Sequence, residues 1–140
     1  MFLSAFFLGL ATTTALTTSP CPNLTVDEVS RLSAAERLEV TACEMRLTAD
    51  VINAQQAKRR DPRMAMTADV EGATLRYNYQ LALDARQIPQ ARLTAMLPML
   101  KQDLCADGRV KIVMSNGGKY RYIFKDRSGV VIRDVLIDHC

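Results

Sequence analysis

Apolar residues recur between residues 33 and 58 at alternating spacings of four and three positions. This spacing predicts one apolar stripe on a long α-helix, formed by Leu38, Ala42, Met45, Ala49 and Ile52. Two capping-box patterns precede the stripe, Thr25-x-x-Glu28 and Ser33-x-x-Glu36. Each pattern is typical of a helix start, and the second one opens the longer helix.

A basic cluster, Lys58-Arg59-Arg60, closes this helix just before Pro62. Cations near a helix C-terminus interact favourably with the helix dipole, and a proline cannot continue the helix. A helix cap is therefore the first interpretation of the cluster. A docking site for an anionic group and a dibasic processing site are the two alternatives.

The hydrophobic period changes to two in residues 64–81 and again in residues 119–137, which predicts two β-hairpins. The first turns at Glu71-Gly72, and the second turns at residues 126–129. Within these predicted strands, aromatic residues alternate mainly with polar ones. The aromatic residues are Tyr77, Tyr79, Tyr120, Tyr122 and Phe124. One face of the predicted sheet is thus aromatic, and the other is polar and exposed to solvent.

A second helix is predicted from about Pro89 to Cys105, with a kink at Pro98. Residues 107–118 fit either a strand or a short helix that Asn116-Gly117-Gly118 ends; we favour the helix because glycine suits a left-handed C-cap. The predicted fold class is α+β, with a four-stranded antiparallel sheet made of the two hairpins and with helices packed on its aromatic face.

The N-terminus is apolar over residues 1–11 and then becomes rich in threonine. This pattern predicts a signal peptide in residues 1–19 with cleavage after Ala15, although the first residues carry no Lys or Arg. The alternatives are a buried N-terminal helix and lipidation at Cys21. Residues 20–140 would then form a single domain with no transmembrane span, located in the periplasm or secreted.

Four cysteines occur without any C-x-x-C spacing, which argues against a zinc site and against a thiol oxidoreductase. An even number of cysteines in an exported chain indicates two disulfides. Three pairings are possible, and we choose Cys21 with Cys43 and Cys105 with Cys140. Free buried thiols are the alternative.

The net charge of +3 is mild and argues against a nucleic-acid partner. His139 is the only histidine, and no nucleophile stands at a recognisable spacing from it. Asp107, Asp126, Asp134 and Asp138 form no paired-carboxylate motif. We therefore predict no catalytic residues, no cofactor and no metal site.

The most informative feature is the face of the sheet opposite the aromatic residues. Alternation sends to it a largely cationic and polar set: Arg76, Asn78, Gln80, Lys119, Arg121, Ile123 and Lys125. The face is either simply solvated or a docking surface for an acidic protein, a glycan or a lipid headgroup. Ile123 is its apolar exception and could mark the centre of a contact.

The C-terminal third, residues 105–140, has two cysteines that bracket a terminal hairpin containing Gly117, Tyr120, Tyr122, Asp126 and Gly129. In this it resembles small bacterial periplasmic α+β proteins, among them the α/β class of type II secretion pilotins. Such pilotins act in outer-membrane sorting. No lipobox precedes Cys21, and we transfer no functional residue from the resemblance.

These features together predict an exported, non-enzymatic accessory protein of the bacterial envelope that binds another envelope or secreted protein. An acidic protein is one candidate for this partner. Secretion, assembly, inhibition and immunity are the roles considered. Two alternatives come from other classes: a small secreted hydrolase or toxin with unrecognised carboxylates, and a binder of envelope lipid or surfaces.

Overall fold

The computed structural model describes residues 20–140, so the predicted signal peptide lies outside the described residues. Four helices and four strands follow one another in the order α1 (Val26–Ser30), α2 (Ala34–Ala57), β1 (Met64–Glu71), β2 (Thr74–Leu81), α3 (Gln90–Ala106), α4 (Gly108–Ser115), β3 (Lys119–Lys125) and β4 (Val131–Ile137). None of the helices in residues 20–140 is long and apolar enough to cross a bilayer.

Both predicted capping boxes are formed. The Glu36 backbone N–H donates to Ser33 Oγ at 3.3 Å, and the Ser33 N–H donates to the Glu36 carboxylate at 2.8 Å. These reciprocal bonds satisfy backbone donors that the first turn of α2 would otherwise leave free. The same arrangement at Thr25 and Glu28 begins the short α1.

The sheet has the strand order β1-β2-β3-β4 and is mixed. β1 pairs with β2, and β3 pairs with β4, as antiparallel hairpins. β2 and β3 run parallel, in a register from Thr74 opposite Lys119 to Gln80 opposite Lys125. The prediction of a fully antiparallel sheet is therefore wrong at this central pair.

The connection between the hairpins explains the correction. α3 and α4 both lie between β2 and β3, and a helical connection of this length returns the chain to the end of the sheet where β2 begins. At that end the Lys119 N–H donates to the Ala73 carbonyl at 2.9 Å. The alternation within each strand is the same for either direction of pairing, so it could not reveal the choice.

The ambiguous segment 107–118 is helical. Asp107 caps α4 by accepting the Arg109 N–H at 2.9 Å. Gly117 adopts a φ of 89°, and the N–H of Gly118 reaches back to the Val113 carbonyl at 2.9 Å, which together form a Schellman cap. Pro98 lies inside α3, which continues from Gln90 to Ala106.

The core lies between the helices and the aromatic face of the sheet. Tyr77 stacks on Tyr122, and Tyr79 stacks on Phe124, each with ring centroids 4.9 Å apart. The parallel register brings these rings directly opposite one another. Leu75 is the most deeply buried strand residue, with 1% of its surface exposed. Tyr77 is partly buried in this core, and burial of the Tyr77 hydroxyl raises its pKa to about 12.

Two disulfides join the chosen pairs of cysteines. Cys21 is bonded to Cys43 and holds the first described residues against the middle of α2. Cys105 is bonded to Cys140 and holds the last residue against the end of α3. Each bond restrains one end of the described chain.

Candidate binding surface

The open face of the sheet is the side opposite the aromatic rings. The register places Arg76 beside Arg121, Asn78 beside Ile123 and Gln80 beside Lys125 on β2 and β3. Lys119 lies at the start of the same row, so the seven predicted residues share one face. None of them is buried, whereas Leu75, Tyr120, Tyr122 and Phe124 on the opposite face are.

Carboxylates from β1 compensate the charge of Arg76. Asp69 lies directly opposite Arg76 and accepts from its Nε at 2.5 Å, and Glu71 accepts from its Nη1 at 2.8 Å. The second oxygen of Asp69 accepts from the Asn78 amide at 3.0 Å. The side chains of Arg76 and Asn78 are therefore held in one small polar network.

Asp134 from β4 does the same for Arg121. Its two carboxylate oxygens accept from Arg121 Nε at 2.8 Å and from Nη2 at 2.6 Å, which is a bidentate pair. This contact lowers the pKa of Asp134 from its usual range. Among the described residues, Lys119 and Lys125 are the cations of this face that have no ion pair.

The open face is thus of mixed charge, and sequence reasoning had missed its carboxylates. Asp69 and Glu71 alternate with the apolar residues of β1, whereas Asp134 shares its face of β4 with the apolar Leu136. The alternation in β1 was visible in the sequence and indicated that Asp69 and Glu71 share a face with the arginines. The strand register that sets them opposite those arginines was not visible.

An apolar part of the open face lies on β3 and β4. Ile123 is opposite Asp134, and Leu136 is opposite Arg121, so the two apolar side chains are diagonal neighbours. Leu136 is 51% exposed. Val131, opposite Lys125, is 50% exposed at the end of the same row. The sequence analysis had identified Ile123 and had missed the other two.

Gln80 and Lys125 line a hollow of about 320 Å³ at one end of the open face. The Gln80 amide donates to the backbone carbonyl of Asp126. The carboxylate of Asp126 accepts from the backbone N–H groups of Ser128 and Val130 at 2.9 Å, and these bonds help to lower its pKa. Asp126 therefore holds the turn between β3 and β4 and has no free oxygen for chemistry.

The remaining candidates for chemistry lie apart from one another. His139 is exposed and contacts Asp138 at 2.6 Å. Asp107 is paired with Arg109 at the start of α4. The described part of the chain contains no group of three His, Cys, Asp or Glu side chains placed to hold a metal ion.

A second concave surface lies between α1, α2 and α4. This groove of about 330 Å³ is lined mainly by apolar side chains, including Leu24, Val29, Val40, Ile112 and Val113. Its apolar lining contrasts with the charged open face on the sheet.

The fold is similar to that of solved type II secretion pilotins. AspS from Vibrio cholerae has a TM-score of 0.53 and 17% sequence identity, over 74% of this chain and 93% of that chain. EpsS from Vibrio vulnificus has a TM-score of 0.58 and 16% identity, over 74% and 92% of the two chains. The resemblance first noted in residues 105–140 is therefore confirmed at the level of the fold.

A third similar structure is a protein from Pseudomonas aeruginosa described as a candidate secreted protein. Its TM-score is 0.52 and its identity is 11%, over 71% of this chain and 93% of that chain. No family model matches the chain, and no curated protein matches it in sequence. The comparisons therefore define an α+β fold shared with pilotins and with this candidate secreted protein.

Proposed function

We propose that this chain is a non-enzymatic accessory protein of the bacterial envelope that acts by binding another protein through the open face of its sheet. The observation that supports this most is a bare face in which half-buried Ile123 and exposed Leu136 are surrounded by charged groups. Sheets built from antiparallel hairpins commonly have one face packed on the core and one face in solvent, so a bare face alone would be ordinary. The apolar pair of Ile123 and Leu136 in the middle of this charged face is the feature that favours a contact surface over simple solvation.

An apolar pair surrounded by charged side chains is the usual composition of a protein–protein contact surface. An apolar centre supplies affinity when it is desolvated, and the surrounding charges fix orientation and exclude wrong partners. Arg76 and Arg121 are already paired, so they would orient a partner more than attract it. Lys119 and Lys125 would meet acidic groups on the partner.

The proposal places the protein in the periplasm or outside the cell. Residues 1–19 would be the signal peptide, cleaved after Ala15, and residues 20–140 would be the mature domain. The two disulfides support this location because disulfides persist in oxidising compartments. The similarity in fold to pilotins makes an accessory role in secretion the first one to test.

A photo-crosslinking residue at position 123 in the native envelope tests the contact. We expect one dominant protein adduct, which Leu136→Asp reduces at least about tenfold because it puts a charge into the apolar centre. Met99→Asp is the matched control, since Met99 is 62% exposed and lies on α3. The proposal would be contradicted if both variants lowered the yield of the adduct equally, or if no protein adduct formed.

A further inference from the structure

A cationic groove lies between the end of α2 and the outer edge of β1, away from the apolar pair of the open face. It has a volume of about 720 Å³, and its lining includes Gln56, Arg59, Arg60, Met64 and Met66. We call it the β1-edge groove. It contains two residues of the basic cluster that the sequence analysis interpreted first as a helix cap.

The cations of the β1-edge groove are not used by the fold. Lys58, Arg59 and Arg60 are all exposed, and within residues 20–140 none of them has a carboxylate within ion-pair distance. The one nearby carboxylate, Asp61, is paired with Arg63 at 3.2 Å. The last carbonyls of α2 accept from backbone N–H groups of Lys58 and Arg59, so the arginine side chains are not needed as caps.

The same groove exposes backbone hydrogen-bonding groups of an edge strand. Asn53 on α2 donates to the Ala68 carbonyl at 2.8 Å and accepts the Ala68 N–H at 2.7 Å. These bonds show that the backbone groups of Ala68 point away from β2. In an antiparallel pair this direction alternates from one residue to the next. Met66 lies two positions before Ala68, so its N–H and carbonyl also point outwards, into the groove.

We propose that the β1-edge groove binds an acidic, extended segment of a partner protein, which adds to the sheet as a short strand beside β1. The backbone of Met66 would supply paired hydrogen bonds, and Arg59 and Arg60 would receive carboxylates of the segment. Asn53 blocks the edge at Ala68, so the added strand is limited to the half of β1 near Met64. The charge around Met66 selects against neutral and basic strands.

A synthetic peptide tests this site without knowledge of the natural partner. The probe is a fluorescent, end-capped hexapeptide of alternating Glu and Val, and its affinity for residues 20–140 is measured by anisotropy at low salt. We expect Arg59→Gln with Arg60→Gln to weaken binding about tenfold, because two exposed charge contacts are lost. The matched control is Arg86→Gln with Arg92→Gln, two exposed arginines that make no ion pair among the described residues.

Strand pairing is tested separately from charge. The same hexapeptide, N-methylated at every residue, keeps its carboxylates but donates no backbone hydrogen bond, and we expect it to bind at least about fivefold more weakly. In hydrogen exchange, the bound unmethylated peptide should slow exchange of the Met66 amide and leave that of Ala68 unchanged, because Ala68 already donates to Asn53.

The outcomes separate the possible explanations. Equal binding of the methylated peptide, or equal loss in the Arg86 and Arg92 control, would overturn the proposal. So would an absence of peptide binding together with co-sedimentation on phosphatidylglycerol vesicles that requires Arg59 and Arg60, because the groove would then serve a lipid surface. Leu136→Asp should leave peptide binding unchanged, so this site and the open face can fail independently.

Discussion

The two faces of the sheet are built from the same four strands but have opposite character. On the covered face, Tyr77, Tyr79, Tyr122 and Phe124 stack across the parallel β2–β3 pair and are held under the helices. On the open face, Arg76 and Arg121 are held by carboxylates from the two outer strands. The covered face is thus stabilised by packing of side chains. On the open face, the pairing of strands sets which charged side chains meet.

This difference has a consequence for stability. Packed residues tolerate little change in volume, whereas paired surface charges can be exchanged at small cost. We expect substitutions on the open face to leave the fold intact and substitutions on the covered face to destabilise it. Substitutions that affect one face and not the other test this division.

The largest expected effect is on the covered face. Leu75→Ala should lower the free energy of unfolding by about 3 kcal/mol, because Leu75 is 1% exposed and its loss leaves a cavity under the helices. Urea unfolding of residues 20–140 measures this. The neighbouring Thr74→Ala, on the open face of the same strand, should cost less than about 1 kcal/mol. Similar losses in both variants would remove the distinction between the faces.

A smaller effect is expected where β3 begins against the helices. A Cβ atom at Gly118 would lie 2.5 Å from Val113 Cγ1 and 2.9 Å from Thr41 Cγ2. Gly118→Ala should therefore destabilise the protein by about 2 kcal/mol through overpacking. Gly108→Ala is the control, because nothing lies within 4 Å of its added Cβ, and thermal unfolding should show no destabilisation. An unchanged melting temperature for Gly118→Ala would indicate a looser contact between α2, α4 and β3.

The smallest effect should come from the open face and should depend on pH. The pKa of Asp134 is lowered in the fold, chiefly by its hydrogen bonds with Arg121. The pair therefore stabilises the fold above about pH 4, and this contribution is lost as the pH falls through the folded-state pKa. Asp134→Asn should be slightly less stable than the wild type at neutral pH, and this difference should shrink as the pH falls through the folded-state pKa of Asp134.

Chemical denaturation at several pH values measures this difference. Asp50→Asn, an exposed change on α2 without an ion pair among the described residues, should show no such convergence. Added salt should shrink the Asp134→Asn difference at neutral pH, since the pair is partly exposed. A difference that persists in acid would mean that Asp134 acts through packing and not through charge.

Local patterns predicted most of the elements. The spacing of apolar residues and the capping boxes predicted α2 within one residue at each end, and the glycines after Asn116 predicted the end of α4. Strand alternation placed the seven predicted face residues together. These features depend on interactions between residues close in sequence, which is why the sequence shows them.

The predicted binding surface was incomplete for a different reason. Asp69 lies seven positions from Arg76, and Asp134 lies 13 positions from Arg121, each across a hairpin turn. Only the exact register of each hairpin brings them into contact. The bond between Asn53 and the edge of β1 likewise joins a helix to a strand. No periodicity within either segment indicates such a contact.

By itself, the sequence determined the long helix α2, the two hairpins and the aromatic side of β2 and β3, because helix period, strand period and capping are local. Only the tertiary structure decided that β2 and β3 run parallel, which sets Arg76 beside Arg121 on the open face. It also decided that Asn53 occupies the β1 edge at Ala68 and that Arg59 and Arg60 lie beside the edge at Met66. These choices depend on where the α3–α4 connection returns the chain and where α2 crosses β1, and both result from packing between distant segments.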